Sequence, residues 1–422
     1  MRLLYVIPRY GAQFTSNETH GELVRELQRL GIDVDVLSYT TRSEAGGPGG
    51  WGAGFGSERV YRHIQGASLP ERALGLLSRR LLHYEYLAAM LAGYLRVARP
   101  GRYDMIHVEG TFPLGAVAAL AAPLVRTPYV ITTTGGDLFR LPGQGYGYGH
   151  WLLPRLLMRL ALRRAAWIRA NSRLIGRLAV GYGADPRRIT PLAVSIADIS
   201  YPPASVALDD YRAACRATLA EQHGWPDDVP VLVCVGRLIS VKAPELLIEA
   251  LPGIVEQVGP VRVCLIGPSR PDPQRGDYLT FLRQRAEALG VAHLCTFTGY
   301  VPLAEIKHYL AAAHLLVVPS RIEGLNRVVI EAGAVGTPSV ISDGAGAAEL
   351  VARSSCGLIT PVGSVPALGR AICRLLGSPR ALTECGARAH HLARDHSAAG
   401  VARGLRDIYQ QAGANPPPLP LQ

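Results

Sequence analysis

Two series of short apolar runs, each run separated from the next by a helix-length segment, constrain this chain more than any other feature. The first series covers residues 3–8, 33–38, 105–109, 129–133, 167–171 and 189–192; the second covers 231–235, 261–266, 295–298, 315–318 and 339–342. Short, continuously apolar runs suit strands buried on both faces, and connections of helical length suit parallel pairing through crossover helices. At 422 residues the chain is too long for one hydrophobic core, so the pattern predicts an α/β protein with two doubly wound sheets. Tyr201-Pro202-Pro203 interrupts both patterns and puts the linker near 199–206.

Within the second series, Pro319-Ser320 ends the run 315–318, and Glu323-Gly-Leu-Asn-Arg-Val-Val-Ile-Glu331 follows. This spacing predicts a loop carrying Glu323 and a helix carrying Glu331, with Asn326 as the N-cap and Gly336-Thr337-Pro338 as the stop. At such a helix start the amides of Gly324, Leu325, Asn326 and Arg327 point outward with the positive end of the dipole, which suits a phosphate or a sugar hydroxyl. A carboxylate accepts two hydrogen bonds from a vicinal diol, and a ribose or hexose offers one.

These residues carry a family resemblance. The stretch 293–350, with Phe297-Thr298-Gly299-Tyr300-Val301, Val318-Pro319-Ser320, the Glu323 to Glu331 element, Gly336-Thr337-Pro338 and Glu349-Leu350, resembles the donor half of retaining, family-four-type (group 1) glycosyltransferases. Upstream, Val235-Gly236-Arg237-Leu238 and Lys242 resemble that family's basic pair for a nucleotide diphosphate. The likeness runs from residue 1 to about 409 and is looser in the first half. It implies the GT-B fold, two Rossmann-like domains facing across a cleft. Residues 1–202 would form the acceptor-side domain and 203–396 the nucleotide-sugar-binding domain. A helix over 397–413 would cross back to the first domain, ahead of a Pro-rich tail over 414–422. The implied activity is hexosyltransferase-type transfer from a nucleotide-diphosphate sugar to an acceptor hydroxyl on a surface glycan, glycolipid or small natural product. No metal or other cofactor is implied. The alternative is a non-catalytic partner subunit of another transferase.

The resemblance also assigns roles. Arg237 grips a phosphate with two prongs and Lys242 supplies a compact charge, both opposing the charge that grows on the leaving oxygen. Glu331 accepts the ribose hydroxyls, Glu323 with the amides of Gly324, Leu325 and Asn326 holds the transferred sugar, and Gly299 and Val301 border the base. In the first half Gly11 and His20 fall on the acceptor or donor-sugar side, although Ser16-Asn17 stands where the family has a Gly-Gly pair. Thr134, before Gly135, replaces a histidine of the family and leaves a main-chain carbonyl for that position, while Asp137 is kept as a catalytic candidate for positioning a sugar. Glu109 replaces a second histidine and Ser195 an aspartate. With no obvious nucleophile, retention would proceed by front-face transfer, the leaving phosphate taking the acceptor proton.

Composition narrows the class. Hydrophobic residues at 48% against 18% charged ones exclude a disordered chain. Seven cysteines without a Cys-x-x-Cys pair read as reduced core residues and favour a cytoplasmic protein. The run 3–8 is too short for an export signal, and the apolar stretch 113–125, about 13 residues, falls short of the roughly 20 that span a bilayer. Residues 1–200 hold 24 Arg against 14 acids, a net of +10 out of the total +11. A basic first half suits an anionic acceptor or peripheral contact with an anionic membrane, and equally a soluble Arg-rich protein. Arg155, Arg159, Arg163 and Arg164 lie in a basic amphipathic segment for which packing on the sheet is favoured over lying on lipid. Two Gly-rich segments, 46–56 and 143–149, hold aromatics suited to closing over an acceptor or to a surface excursion.

Other classes fit less well. Asp33-Val34-Asp35 has the form of a metal-binding Asp-x-Asp pair but opens a strand instead of following one. No Gly-x-Gly-x-x-Gly for NAD follows the run 3–8 or 231–235, and no nucleic-acid motif with stacking aromatics accompanies the arginines.

Overall fold

The computed structural model describes residues 1–10, 18–41, 58–65, 69–141, 147–226 and 228–414. Gly11, Ser16, Asn17, the Gly-rich segment 46–56, residues 143–146 and the Pro-rich tail from Asn415 lie outside the described residues. The chain divides into two compact units, Met1–Ser195 with the chain from Ala398 onward, and Ile196–Ser397.

The first unit holds β1 (Arg2–Ile7), β2 (Asp33–Thr41), β3 (Arg59–Gln65), β4 (Met105–Glu109), β5 (Tyr129–Thr133), β6 (Trp167–Ala170) and β7 (Ile189–Pro191). They pair in parallel in the order β3-β2-β1-β4-β5-β6-β7. The strand order turns between β1 and β4, and at such a switch point the carboxyl ends of the strands leave a crevice. Leu3, Tyr5, Leu27, Val34 and Val36 are buried together with Val401, Leu405, Ile408 and Tyr409 of the last helix, Ala398–Ala414. Four large apolar side chains, each worth roughly 1.5–3 kcal/mol when fully buried, hold that helix on the first sheet.

The second unit holds β8 (Val231–Val235), β9 (Arg262–Ile266), β10 (Cys295–Gly299), β11 (Leu315–Val318), β12 (Ser339–Ser342) and β13 (Gly357–Thr360), in the parallel order β10-β9-β8-β11-β12-β13. Its switch point falls between β8 and β11. The helix Glu245–Val258 covers one face, burying Leu247, Ile248, Leu251 and Ile254 against Leu232, Val263, Leu265 and Val317.

Several expectations meet the structure directly. Asp35 is buried and held by Arg59 Nε at 3.1 Å and by the Tyr103 hydroxyl at 2.7 Å, which ties the Asp-x-Asp pair into the sheet edge. All seven cysteines are free thiols. Burial pushes those of Cys234 and Cys264 up to about 12, far from the reactive thiolate range. Among the described residues no helix is long and apolar enough to cross a membrane.

Candidate active site

The second-unit residues singled out from the sequence gather at the carboxyl ends of the strands flanking the switch point. Gly236 and Arg237 follow β8, and Ser320 to Asn326 follow β11. Arg237, Lys242, Ser320 and Asn326 line one small pocket with Gly236 and Pro319. The strand ends approach closely here: a Cβ on Gly267, just past β9, would lie 2.1 Å from the Gly236 carbonyl oxygen, so only glycine fits. Gly267 also donates its amide to Gly299 O at 2.8 Å, which fixes the turn at the end of β10. Val301 is half-buried beside that turn, and Tyr300 is 63% exposed.

Charge in this pocket is arranged around one open cation. Lys242 Nζ pairs directly with Glu323 Oε2. Arg237 makes no hydrogen bond or ion pair to any described residue. Glu331, buried on the helix Val328–Ala334, accepts from Arg327 Nε at 2.8 Å through Oε1. The loop itself is clamped: Glu323 N donates to Gly344 O at 3.1 Å, Gly346 N to Glu323 O at 3.0 Å, and Ala347 N to Leu325 O at 2.6 Å. Among the described residues the amides of Leu325, Asn326 and Arg327 donate to no main-chain carbonyl.

Asn326 corrects the sequence reading. The helix begins at Val328 with Arg327 in the cap position, and Asn326 sits at φ +73° without capping it. Asn tolerates this left-handed conformation better than most residues, so it serves the turn into the helix. Its Nδ2 points at Ser320 Oγ at 3.4 Å, and its buried Oδ1 has no hydrogen-bond partner among the described residues. A buried acceptor without a donor is costly, and here it lines the pocket.

The first-unit candidates divide. Asp137, expected to position a sugar, has its carboxylate held by main-chain amides: Oδ2 accepts those of Thr111 at 2.6 Å and Phe112 at 2.9 Å, and Oδ1 accepts that of Leu138 at 3.1 Å. Burial pushes its carboxyl up, against the pull of those amides. Thr134 is exposed at the end of β5, and its carbonyl already accepts Asn171 Nδ2 at 3.1 Å; Gly135 O accepts Leu138 N at 3.0 Å. Tyr148, in the Gly-rich segment 143–149, packs its ring 4.8 Å from that of Phe112, and its amide bonds Asp137 O at 2.9 Å.

Glu109 belongs to a buried polar cluster that local sequence reading misses. The Tyr5 hydroxyl donates to Glu109 Oε1 at 2.6 Å and contacts His20 Nδ1 at 2.7 Å. Arg169, fully buried in β6, reaches Glu109 at 3.9 Å and is anchored by the carbonyls of Leu192 and Ala193. His107 bonds Tyr409 Oη through Nδ1 and Thr132 Oγ1 through Nε2, each at 2.7 Å. Burial would raise the Glu109 carboxyl, but the His107 and His20 rings, the Arg169 guanidinium and the Tyr5 hydroxyl together hold it below the usual range. Burial lowers His107 to about 4, so it is neutral at pH 7. The only advance signal was Arg169, a charge inside an otherwise apolar strand.

Comparison with known proteins agrees with this geometry. Residues 16–194 match a family profile described as glycosyl transferase 4-like domain, and residues 216–391 match one described as glycosyl transferases group 1. The GDP-mannose-dependent alpha-(1-6)-phosphatidylinositol monomannoside mannosyltransferase of Mycolicibacterium smegmatis is 29% identical over 352 residues, covering 80% of each chain. The D-inositol 3-phosphate glycosyltransferase of Frankia alni is 27% identical over 93% of each chain. In fold, Anabaena HepE in its complex with UDP superposes with a TM-score of 0.70 at 19% identity, covering 97% of this chain and all of that one. The chain belongs to the group 1 glycosyltransferases, nucleotide-sugar-dependent enzymes built from two Rossmann-like domains in the GT-B fold.

Proposed function

We propose that the pocket at β8 and β11 binds the diphosphate of a nucleotide sugar and that transfer retains the anomeric configuration. The observation that carries this is Arg237, unpaired among the described residues, beside a Lys242–Glu323 pair, next to three loop amides that bond no main-chain carbonyl and the Asn326 Oδ1 that has no partner among those residues. Arg237 and Lys242 meet the diphosphate without a metal, Glu323 and the Gly324–Asn326 loop hold the sugar, Gly299 and Val301 border the base, and Glu331 takes the ribose. Carboxylates that accept hydroxyl donors form hydrogen bonds worth about 1.5–3 kcal/mol each, so Glu331→Ala should weaken donor binding at least tenfold. Isothermal titration with UDP- and GDP-sugars measures this. Unchanged affinity, or equal stabilisation of the protein by NAD, would remove the donor site from this pocket.

The acceptor, in this reading, is carried at a membrane. The helices Leu69–Leu82, Ala116–Val125 and Leu152–Arg164 pack side by side in the first unit. The last is packed as expected through Pro154, Met158, Ala161 and Leu162, but Leu152, Leu153 and Leu156 face outward. Leu76, Leu77, Leu81, Leu120 and Leu124 are exposed on its neighbours, with Trp151 stacked on His83 at 3.4 Å. Arg79, Arg80, Arg159 and Arg163 are exposed on these helices and Arg126 just past the end of one of them, and the three helices contain one acid, Glu71. Leucines to enter the acyl boundary and arginines worth about 1 kcal/mol each at an anionic surface suit peripheral binding. The chain should float with vesicles containing anionic lipid, and the Leu152→Ser/Leu156→Ser variant should float at least fivefold less. Equal recovery with purely zwitterionic vesicles would count against the charge complement.

A further inference from the structure

Ligands of doubly wound sheets enter at the carboxyl ends of the strands. The second unit also holds a cavity of about 400 Å³ at the opposite, amino ends of β11 and β12. Its walls include His314 and Pro338, which immediately precede those strands, Arg212 and Arg216 on the helix Leu208–His223, and Leu382 on the helix Pro379–Asp395.

Arg212 and Arg216 stand one helical turn apart, so two positive charges share one wall. Arg212 is spent on the protein: Nη1 donates to Val335 O at 2.7 Å and to Thr337 Oγ1, and Nη2 donates to Ala313 O at 2.8 Å. Arg216 gives only its Nε, to Ala312 O at 3.2 Å. Among the described residues Arg216 Nη1 and Nη2 have no partner, and neither guanidinium has a carboxylate within ion-pair distance. The one acid on the wall, Asp209, is exposed. Carbonyl dipoles satisfy a guanidinium without neutralising it, so the cavity keeps a net positive field. Burial, and then the charge of Arg216, push Arg212 down to about 10.

His314 adds a further donor. Its Nδ1 accepts Val231 N at 3.0 Å, and burial followed by the two arginines lowers the ring to about 4, so at pH 7 it is neutral with its proton on Nε2. The unspent nitrogens of Arg212, Arg216 and His314 are therefore all donors, beside the apolar surface of Pro338 and Leu382. A guanidinium fork matches two phosphate oxygens and leaves a third for another N–H.

We propose that this cavity is a second anion site, which takes the phosphate of a small phosphomonoester on Arg216 Nη1 and Nη2 and His314 Nε2 and lays the organic group against Pro338 and Leu382. It does not depend on the donor reading, because it shares no residue with the pocket at β8 and β11.

Calorimetric titration of the full-length protein with glycerol 3-phosphate tests this, and the short-chain lipid dihexanoyl phosphatidic acid separates a free phosphomonoester from one borne by a lipid headgroup. Glycerol 3-phosphate should bind wild type and Arg237→Ala alike, and Arg216→Ala should weaken it at least about tenfold, the loss expected for charge-assisted bonds. Binding of the lipid alone, if lost in Arg216→Ala, would support the site and assign it to a headgroup. Should Arg216→Ala fail to fold, phenylglyoxal labelling of the wild type read by mass spectrometry decides, since the bound phosphomonoester should shield Arg216. No binding of either compound, binding that Arg216→Ala leaves intact, binding lost in Arg237→Ala, or an Arg216 that is labelled equally with and without ligand would each overturn the proposal.

Discussion

Lys242→Ala is expected to lower kcat by about 10²–10³-fold, the loss typical of removing one preorganised charge or donor from a developing anion. Its effect on the donor KM should be smaller, because the charge on the leaving diphosphate grows only as the glycosyl bond breaks. The Lys242–Glu323 pair supplies a stringent control. If Lys242 serves only to neutralise Glu323, the double variant Lys242→Ala/Glu323→Ala should regain activity. If Lys242 acts on the diphosphate, the double variant should be at least as impaired as the single one. Recovery to within threefold of wild type would end the assignment. Folding should survive, since three main-chain hydrogen bonds, independent of the lysine, hold residues 323–325 against 344–347.

Asp137→Ala should unfold the first unit about 10 °C earlier. It strips two buried amides, Thr111 N and Phe112 N, of their acceptor. Leaving such groups unsatisfied costs about 1–3 kcal/mol each, and the bond to Leu138 N adds to the loss, about 3–5 kcal/mol in total. Asp137→Asn distinguishes structure from catalysis. An amide oxygen in place of Oδ2 still accepts both Thr111 and Phe112, so this variant should keep most of the stability and the activity. If Asp137→Asn melted normally but lost transfer, the aspartate would be acting on substrate. Differential scanning calorimetry beside a transfer assay reads both outcomes.

What could be read in advance follows from how each element meets its surroundings. β1, β4, β5, β8, β11 and β12 are buried along their length, so their sequences are mostly apolar and their bounds lie close to those the sequence predicts. β3, with Arg59, Arg62, His63 and Gln65, and β13, only four residues long, lie at sheet edges where no such run is required, and neither was anticipated. Most residues expected at the donor site fall into two local groups, one after β8 and one after β11, and the fold brings Arg237, Lys242 and Asn326 to one pocket because those two strands are neighbours. Asn326 was placed but misread, because the same residue type suits an N-cap and a left-handed turn. For Asp137 and Glu109 the sequence does not show the surroundings. Their partners, Thr111 and Phe112 for one and Tyr5 and Arg169 for the other, lie 25 to 104 positions away and meet only in the folded sheet.

The stitching of residues 323–325 to 344–347 bears on which exchanges this chain can accept. Gly344 admits no side chain, since a Cβ there would sit 2.3 Å from the Arg321 carbonyl oxygen. Neither segment can drift alone without breaking the bonds that hold the other. The two segments therefore move as one unit, and chimaeras between homologues should exchange both together or neither.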